Sequence, residues 1–171
     1  MTKNTKSIIS LTAICMTVAL LMALTNMITL PTIQHNEQLA VEKSLLEVMP
    51  SGEGFEKIES LKGYDLPKTV TSVYKEKNGG YVVELLTTGY SSGLKILCGI
   101  SKEGCVTGAV CLASTETLGY EESYGEEFVG TTKVSVEYVD TVSGATKTTA
   151  AYKNAVKDAI LTAGILKGEG K

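Results

Sequence analysis

The stretch Val139-Asp140-Thr141-Val142-Ser143-Gly144-Ala145-Thr146-Lys147-Thr148-Thr149 gathers hydroxyl side chains directly ahead of a run, AAYKNAVKDAILTAGIL, that has helical spacing. The first turn of a helix presents unpaired N–H groups and the positive end of the macrodipole, worth roughly 0.3–2 kcal/mol to one negative charge. Thr146 falls in that turn. Its hydroxyl is therefore placed to hold a phosphate covalently while the helix end stabilises the charge. A plainer reading also fits: Ser143 is the N-cap, its oxygen accepting from a backbone N–H two or three residues on, and Gly144 lets the chain bend into the helix. Both readings stay open on these residues alone.

The elements that must position this stretch can be read from periodicity. Ala151, Ala155, Val156, Ala159 and Ile160 form the apolar stripe of the closing helix. Ahead of it, residues 69–74 (TVTSVY) and 80–87 (GYVVELLT) flank the turn Lys77-Asn78-Gly79 and predict a hairpin. Residues 94–101 (LKILCGIS) and 105–113 (CVTGAVCLA) flank Lys102-Glu103-Gly104 and predict a second. Residues 133–139 (KVSVEYV) alternate and are expected as a further strand. The fold class is α+β, with a mainly antiparallel sheet and flanking helices.

The chain of 171 residues has a net charge of −3 and no basic cluster, which argues against nucleic acid as a partner. His35 is the single histidine. Sites that need two imidazoles are thereby excluded within one copy, and a Ser-His-Asp triad would have to use that residue. Cys15 lies in the N-terminal apolar run, whereas Cys98, Cys105 and Cys111 lie on one predicted hairpin. Their spacing matches no zinc or iron–sulfur pattern; buried free thiols and a single disulfide both remain open.

Residues 7–30 (SIISLTAICMTVALLMALTNMITL) form a mostly apolar run of about the 20 residues a bilayer core requires. Lys3 and Lys6 precede it and Glu37 and Glu42 follow it, an order expected of an uncleaved transmembrane anchor with a cytoplasmic N-terminus. The expected organisation is a cytoplasmic tip and anchor over 1–31, a juxtamembrane helix over 32–50 and an extracytoplasmic domain over 51–171.

Asp140-Thr141-Val142-Ser143-Gly144-Ala145-Thr146 resembles the flavinylation motif of the FMN-binding domain shared by the G subunit of the Rnf ferredoxin:NAD oxidoreductase and the C subunit of the sodium-pumping NADH:quinone reductase. Thr115-Glu116-Thr117-Leu118-Gly119-Tyr120 is similar to the family's Glu-Thr-Pro-Gly-Leu-Gly loop near the flavin, but lacks the Pro-Gly pair. The segments LMALTNMITLPTI and GYSSGLKILCGISKEGCVTGAV resemble the end of the family's anchor and its central hairpin, and the length suits the Rnf protein.

The resemblance implies FMN joined to Thr146 through a phosphoester bond, with Asp140, Ser143, Gly144 and Ala145 as the surrounding recognition stretch. It implies Glu116, Thr117, Leu118 and Gly119 at the flavin, with Glu116 a candidate for tuning it. A flavin transferase is implied for maturation, and the other subunits of a membrane Rnf complex as partners. The chain would relay electrons between reduced ferredoxin and NAD in a complex coupled to sodium or proton transport, without being catalytic alone. Two alternatives stand beside this: an unflavinylated, membrane-anchored extracytoplasmic binding or structural module, and a covalent-FMN domain serving another membrane reductase.

Overall fold

The computed structural model describes residues 3–61 and 63–168, with side chains described for residues 11–27, 41–61 and 63–168. The chain divides into two units, Met1–Val41 and Glu42–Lys171.

The first unit is helical, within α1 (Lys3–Val48). Its described side chains, those of residues 11–27 and Val41, are exposed. Thr17 Oγ1 donates to Ala13 O at 2.8 Å and Thr25 Oγ1 to Leu21 O at 2.8 Å, so these hydroxyls are satisfied by the carbonyl one turn earlier. Among the described residues no helix is long and apolar enough to cross a membrane. The expected span over residues 7–30 extends at both ends beyond the described side chains. The helix expected from residue 32 is the C-terminal part of α1 rather than a separate element.

In the second unit five strands form one antiparallel meander in chain order: β1 (Phe55–Lys57), β2 (Val70–Glu76), β3 (Tyr81–Thr88), β4 (Ser92–Ile100) and β5 (Val106–Ala113). Both expected hairpins are present, with Gly79 and Gly104 at positive φ in their turns. The short β1 had no sequence signal, being only three residues long. The side chains of β3 and β4 alternate between two buried faces, which is why these strands read as nearly continuous apolar runs. Val83, Leu85, Leu94, Ile96 and Cys98 pack in one core with Tyr152, Ala155, Val156 and Ala159 of α2 (Thr146–Lys167). Val82 and Leu97 face the other way, against Leu45, Val48 and Met49 at the end of α1.

That second face depends on a glycine pair. Gly99 and Gly108 are register partners across β4 and β5. A Cβ on either would meet the Val48 carbonyl oxygen, at 2.6 Å and 2.8 Å respectively. Thr107 Oγ1 donates to the same oxygen at 2.6 Å, satisfying one of the carbonyls that a helix end leaves open.

After β5 the chain runs through three short 3-10 helices, Tyr120–Glu122, Tyr124–Phe128 and Ser135–Tyr138. The last replaces the strand expected over 133–139. Val136 is buried, but Val134 and Tyr138, which strand alternation would put on the same face, are 71% and 80% exposed. Local bonding captures the segment: Thr132 N–H donates to Ser135 Oγ at 2.8 Å, and Val136 N–H to Thr132 O at 3.0 Å. Lys153 of α2 then fastens it, Nζ donating to the carbonyls of Glu137 and Val139 at 2.6 Å and 2.9 Å.

Candidate functional site

The start of α2 is built differently from the expected cap. Ala145, not Ser143, occupies the N-cap position, and no side chain caps the helix. Ser143 lies too early in the chain to serve and is exposed. Gly144, at φ +88, makes the bend, as its place before the helix predicts. Thr149 does the local bonding instead: its hydroxyl accepts from Val142 N–H at 3.2 Å and donates to Ala145 O at 3.0 Å. Alanine is a poor N-cap, worse than Ser or Thr by about 0.5–2 kcal/mol. Among the described residues the N–H groups of Thr146, Lys147 and Thr148 have no acceptor, since the first helical bond is that of Thr149 N–H to Ala145 O. This is the geometry of an anion site rather than of a finished cap. Thr146 is exposed at this end, its hydroxyl making only a long bond of 3.4 Å to Val142 O.

The uncapped turn opens on a cleft of about 470 Å³. A small-molecule site typically holds roughly 300–1,000 Å³. Gly144, Ala145, Thr146, Lys147 and Thr148 form one side; Glu116, Thr117, Leu118, Tyr120 and Glu121 form another, and Tyr90 from the β3–β4 turn completes it. Leu118, Tyr90 and Tyr120 present apolar surface, being 61%, 70% and 43% exposed. Lys147 Nζ stands 5.8 Å from the Tyr90 ring centroid, a cation–π contact.

Glu116 links the two sides. Its Oε1 accepts from Ser91 N–H at 2.9 Å and its Oε2 from Thr148 Oγ1 at 2.7 Å. Gly89 has no room for a side chain because this carboxylate and Thr148 Cα lie against it. The Cys111 thiol nearby is pushed up by burial first, with the negative charges of Glu121, Glu122 and Glu116 adding to the effect.

Of the residues expected from sequence, Glu116, Thr117, Leu118, Gly144, Ala145 and Thr146 come together in this cleft. Asp140 does not. It lines a neighbouring groove with Tyr138 and Tyr124, and its carbonyl accepts from Tyr124 Oη at 2.8 Å. Ser143 and Gly119 line neither; Gly119, at φ +69, leads into the first 3-10 helix. Tyr90, Lys147, Thr148, Tyr120 and Glu121 were missed. An aromatic residue in the Gly-Tyr-Ser-Ser turn was a usable signal for Tyr90, whereas Glu121, in an acidic run, reads like any solvated surface residue.

Free N–H donors at a helix start, an exposed hydroxyl, apolar and aromatic walls and polar groups at the far side suit a ligand that joins a phosphate to a planar heteroaromatic ring. FMN is such a molecule. The family model described as "FMN-binding domain" matches residues 89–161. That stretch runs from the β3–β4 turn through the cleft into α2. The chain is also 30% identical, over 168 aligned positions, to the G subunit of the Na(+)-translocating ferredoxin:NAD(+) oxidoreductase complex of Acetobacterium woodii, with 81% of each chain covered.

Proposed function

Because the chain belongs to the family of Rnf-complex G subunits, built on the FMN-binding domain, we propose that it is an electron-carrier flavoprotein whose FMN is joined to Thr146 by a phosphoester bond. The observation that carries this reading is the uncapped first turn of α2, with three N–H groups lacking an acceptor beside an exposed threonine hydroxyl. A flavin transferase would join that hydroxyl's oxygen to the FMN phosphorus of FAD, breaking the pyrophosphate bond and releasing AMP and a proton. The chain's own part is to present the oxygen and to offer N–H groups to the phosphate.

FMN, when bound, supplies the redox chemistry. The chain fixes where that chemistry happens. Leu118, Tyr90 and Tyr120 offer apolar surface to a ring and limit its contact with water. Glu116 holds the loop side of the cleft to the helix side, so its influence on the flavin runs through the position of Thr148 and of the β3–β4 turn. Asp140, Ser143 and Gly119 act outside the cleft, as parts of the surface the transferase recognises or of the turns that shape it.

The carrier works within a membrane complex that moves electrons between ferredoxin and NAD coupled to ion transport, with residues 7–30 as a single-pass anchor and the FMN-binding domain outside the cytoplasm. The other subunits are its donors and acceptors. The test is co-expression with and without a flavin transferase, followed by denaturing electrophoresis under ultraviolet light. Flavin fluorescence travelling with the chain only when the transferase is present supports the reading; a dark band with an active transferase sinks it.

A further inference from the structure

Glu121 is 4% exposed, stands in the wall of the cleft that contains Thr146, and makes no hydrogen bond or ion pair with any described residue. The other buried glutamate among the described residues shows what satisfaction looks like: the Glu76 carboxylate, 3% exposed, accepts from Glu53 N–H, from Asn78 N–H and Nδ2 and from Gly80 N–H. Nor are the Glu121 oxygens sealed in the core, since among the described residues the only sealed side-chain atom without a partner is Tyr152 Oη. Lys147, the cation of the cleft, is turned to the Tyr90 ring instead of pairing with Glu121. The carboxylate therefore meets only the solvent of the cleft, and a ligand that covered it without offering a donor would leave it desolvated and unpaired, a costly state.

An ionised carboxylate is an acceptor only. The oxidised isoalloxazine ring carries a single N–H donor, the imide N3–H, while N1, N5 and both carbonyl oxygens are acceptors. We propose that Glu121 accepts a hydrogen bond from N3–H of the FMN held on Thr146 and that its charge disfavours electron uptake, lowering the flavin's reduction potential. This rests on the FMN reading above. Glu121 is thereby a cofactor-contacting residue that sets ring orientation and potential, a role separate from that of Glu116, whose oxygens are already taken by Ser91 and Thr148.

The test uses the full chain flavinylated by the transferase, as wild type, Glu121→Gln, Glu121→Asp and Glu122→Gln; Glu122 is the exposed neighbour and controls for loss of a charge nearby. Intact mass is read first, then the midpoint potential by spectroelectrochemistry. Glu121→Gln is expected to favour the reduced flavin at least tenfold, about 30 mV for a two-electron couple, and Glu122→Gln less than threefold. Equal shifts in the two, or none in Glu121→Gln, overturn the assignment. If Glu121→Gln does not fold, Glu121→Asp decides by resonance Raman: a weakened hydrogen bond at N3–H, read as a smaller deuterium-sensitive shift than in wild type, supports the contact, and an unchanged band overturns it. A wild type that carries no flavin fails the underlying reading, whereas a flavinylated set with equal potentials fails only the role of Glu121.

Discussion

Thr148 Oγ1 donates to Glu116 Oε2 at 2.7 Å, joining the loop after β5 to the first turn of α2 across thirty-two positions of chain. The same carboxylate accepts from Ser91 N–H in the β3–β4 turn, so three segments of the cleft meet on one side chain. Glu116→Ala leaves both donors without their acceptor and is expected to destabilise the domain by about 1–3 kcal/mol. Urea unfolding measures it. In a double-mutant cycle with Thr148→Val the two changes are expected to be non-additive, with a coupling of about 0.5–3 kcal/mol; additive losses would mean that the hydrogen bond contributes nothing.

The Gly99–Gly108 pair predicts a second outcome. A methyl group at Gly108 meets Val48 O at 2.8 Å and Val48 Cα at 2.9 Å, both backbone atoms, so neither side can yield by a rotamer change. Gly108→Ala is expected to cost about 1–3 kcal/mol, the range for overpacking a well-filled contact. The end of α1 should loosen with it, read as faster amide hydrogen exchange at Met49, whose N–H is bonded to Leu45 O at 3.0 Å.

The sheet was legible in the sequence because β3 and β4 are apolar on both faces and their turns carry glycine where positive φ is needed. The segment after β5 was not. Val134, Val136 and Tyr138 alternate like a strand, but hydrogen bonding around Thr132 and Ser135 turns the chain into a 3-10 helix, and nothing in the spacing of apolar residues reports that competition. Thr146 and Leu118, which line the cleft, were singled out in the sequence because their neighbours form recognisable runs. The Ser143 cap failed because Thr149, one turn into the helix, reaches back and bonds the turn itself. Glu121 is visible only in three dimensions, since a buried, unpaired glutamate and a solvated one have the same letter and the same acidic neighbours.

Glu76 makes stability depend on pH. Burial pushes its carboxyl up, but hydrogen bonds from the N–H groups of Glu53, Gly80 and Asn78 and from the Asn78 side chain outweigh this, and its pKa lies below the ordinary 4.5. A carboxyl depressed on folding contributes stability that is fully present above its unfolded pKa and is lost as pH falls through its folded one. The wild type is therefore expected to unfold at lower temperature as pH drops below about 4.5. Glu76→Gln should be less stable at neutral pH and show a flatter acid limb. Parallel pH profiles for the two proteins would remove Glu76 from the account.

Cys98 is fully buried on β4, and burial pushes its thiol up to about 12. The thiolate is the reactive form, so iodoacetamide at mildly alkaline pH is expected to leave Cys98 unmodified in the folded protein and to label it once denaturant unfolds the sheet. Peptide mass mapping reads the site. Rapid labelling of Cys98 under native conditions would contradict the packing of β4 beneath α2.

The most direct test of covalent FMN on Thr146 is the intact mass of the chain made in a host with the flavin transferase, alongside Thr146→Ala, followed by peptide mapping. The expected result is a wild type heavier by one FMN less one water, with the added mass on the peptide containing Thr146, and a mutant of unmodified mass. An unmodified wild type, or an adduct that persists in Thr146→Ala, would contradict the attachment and leave the first turn of α2 as an uncapped helix start without a covalent ligand.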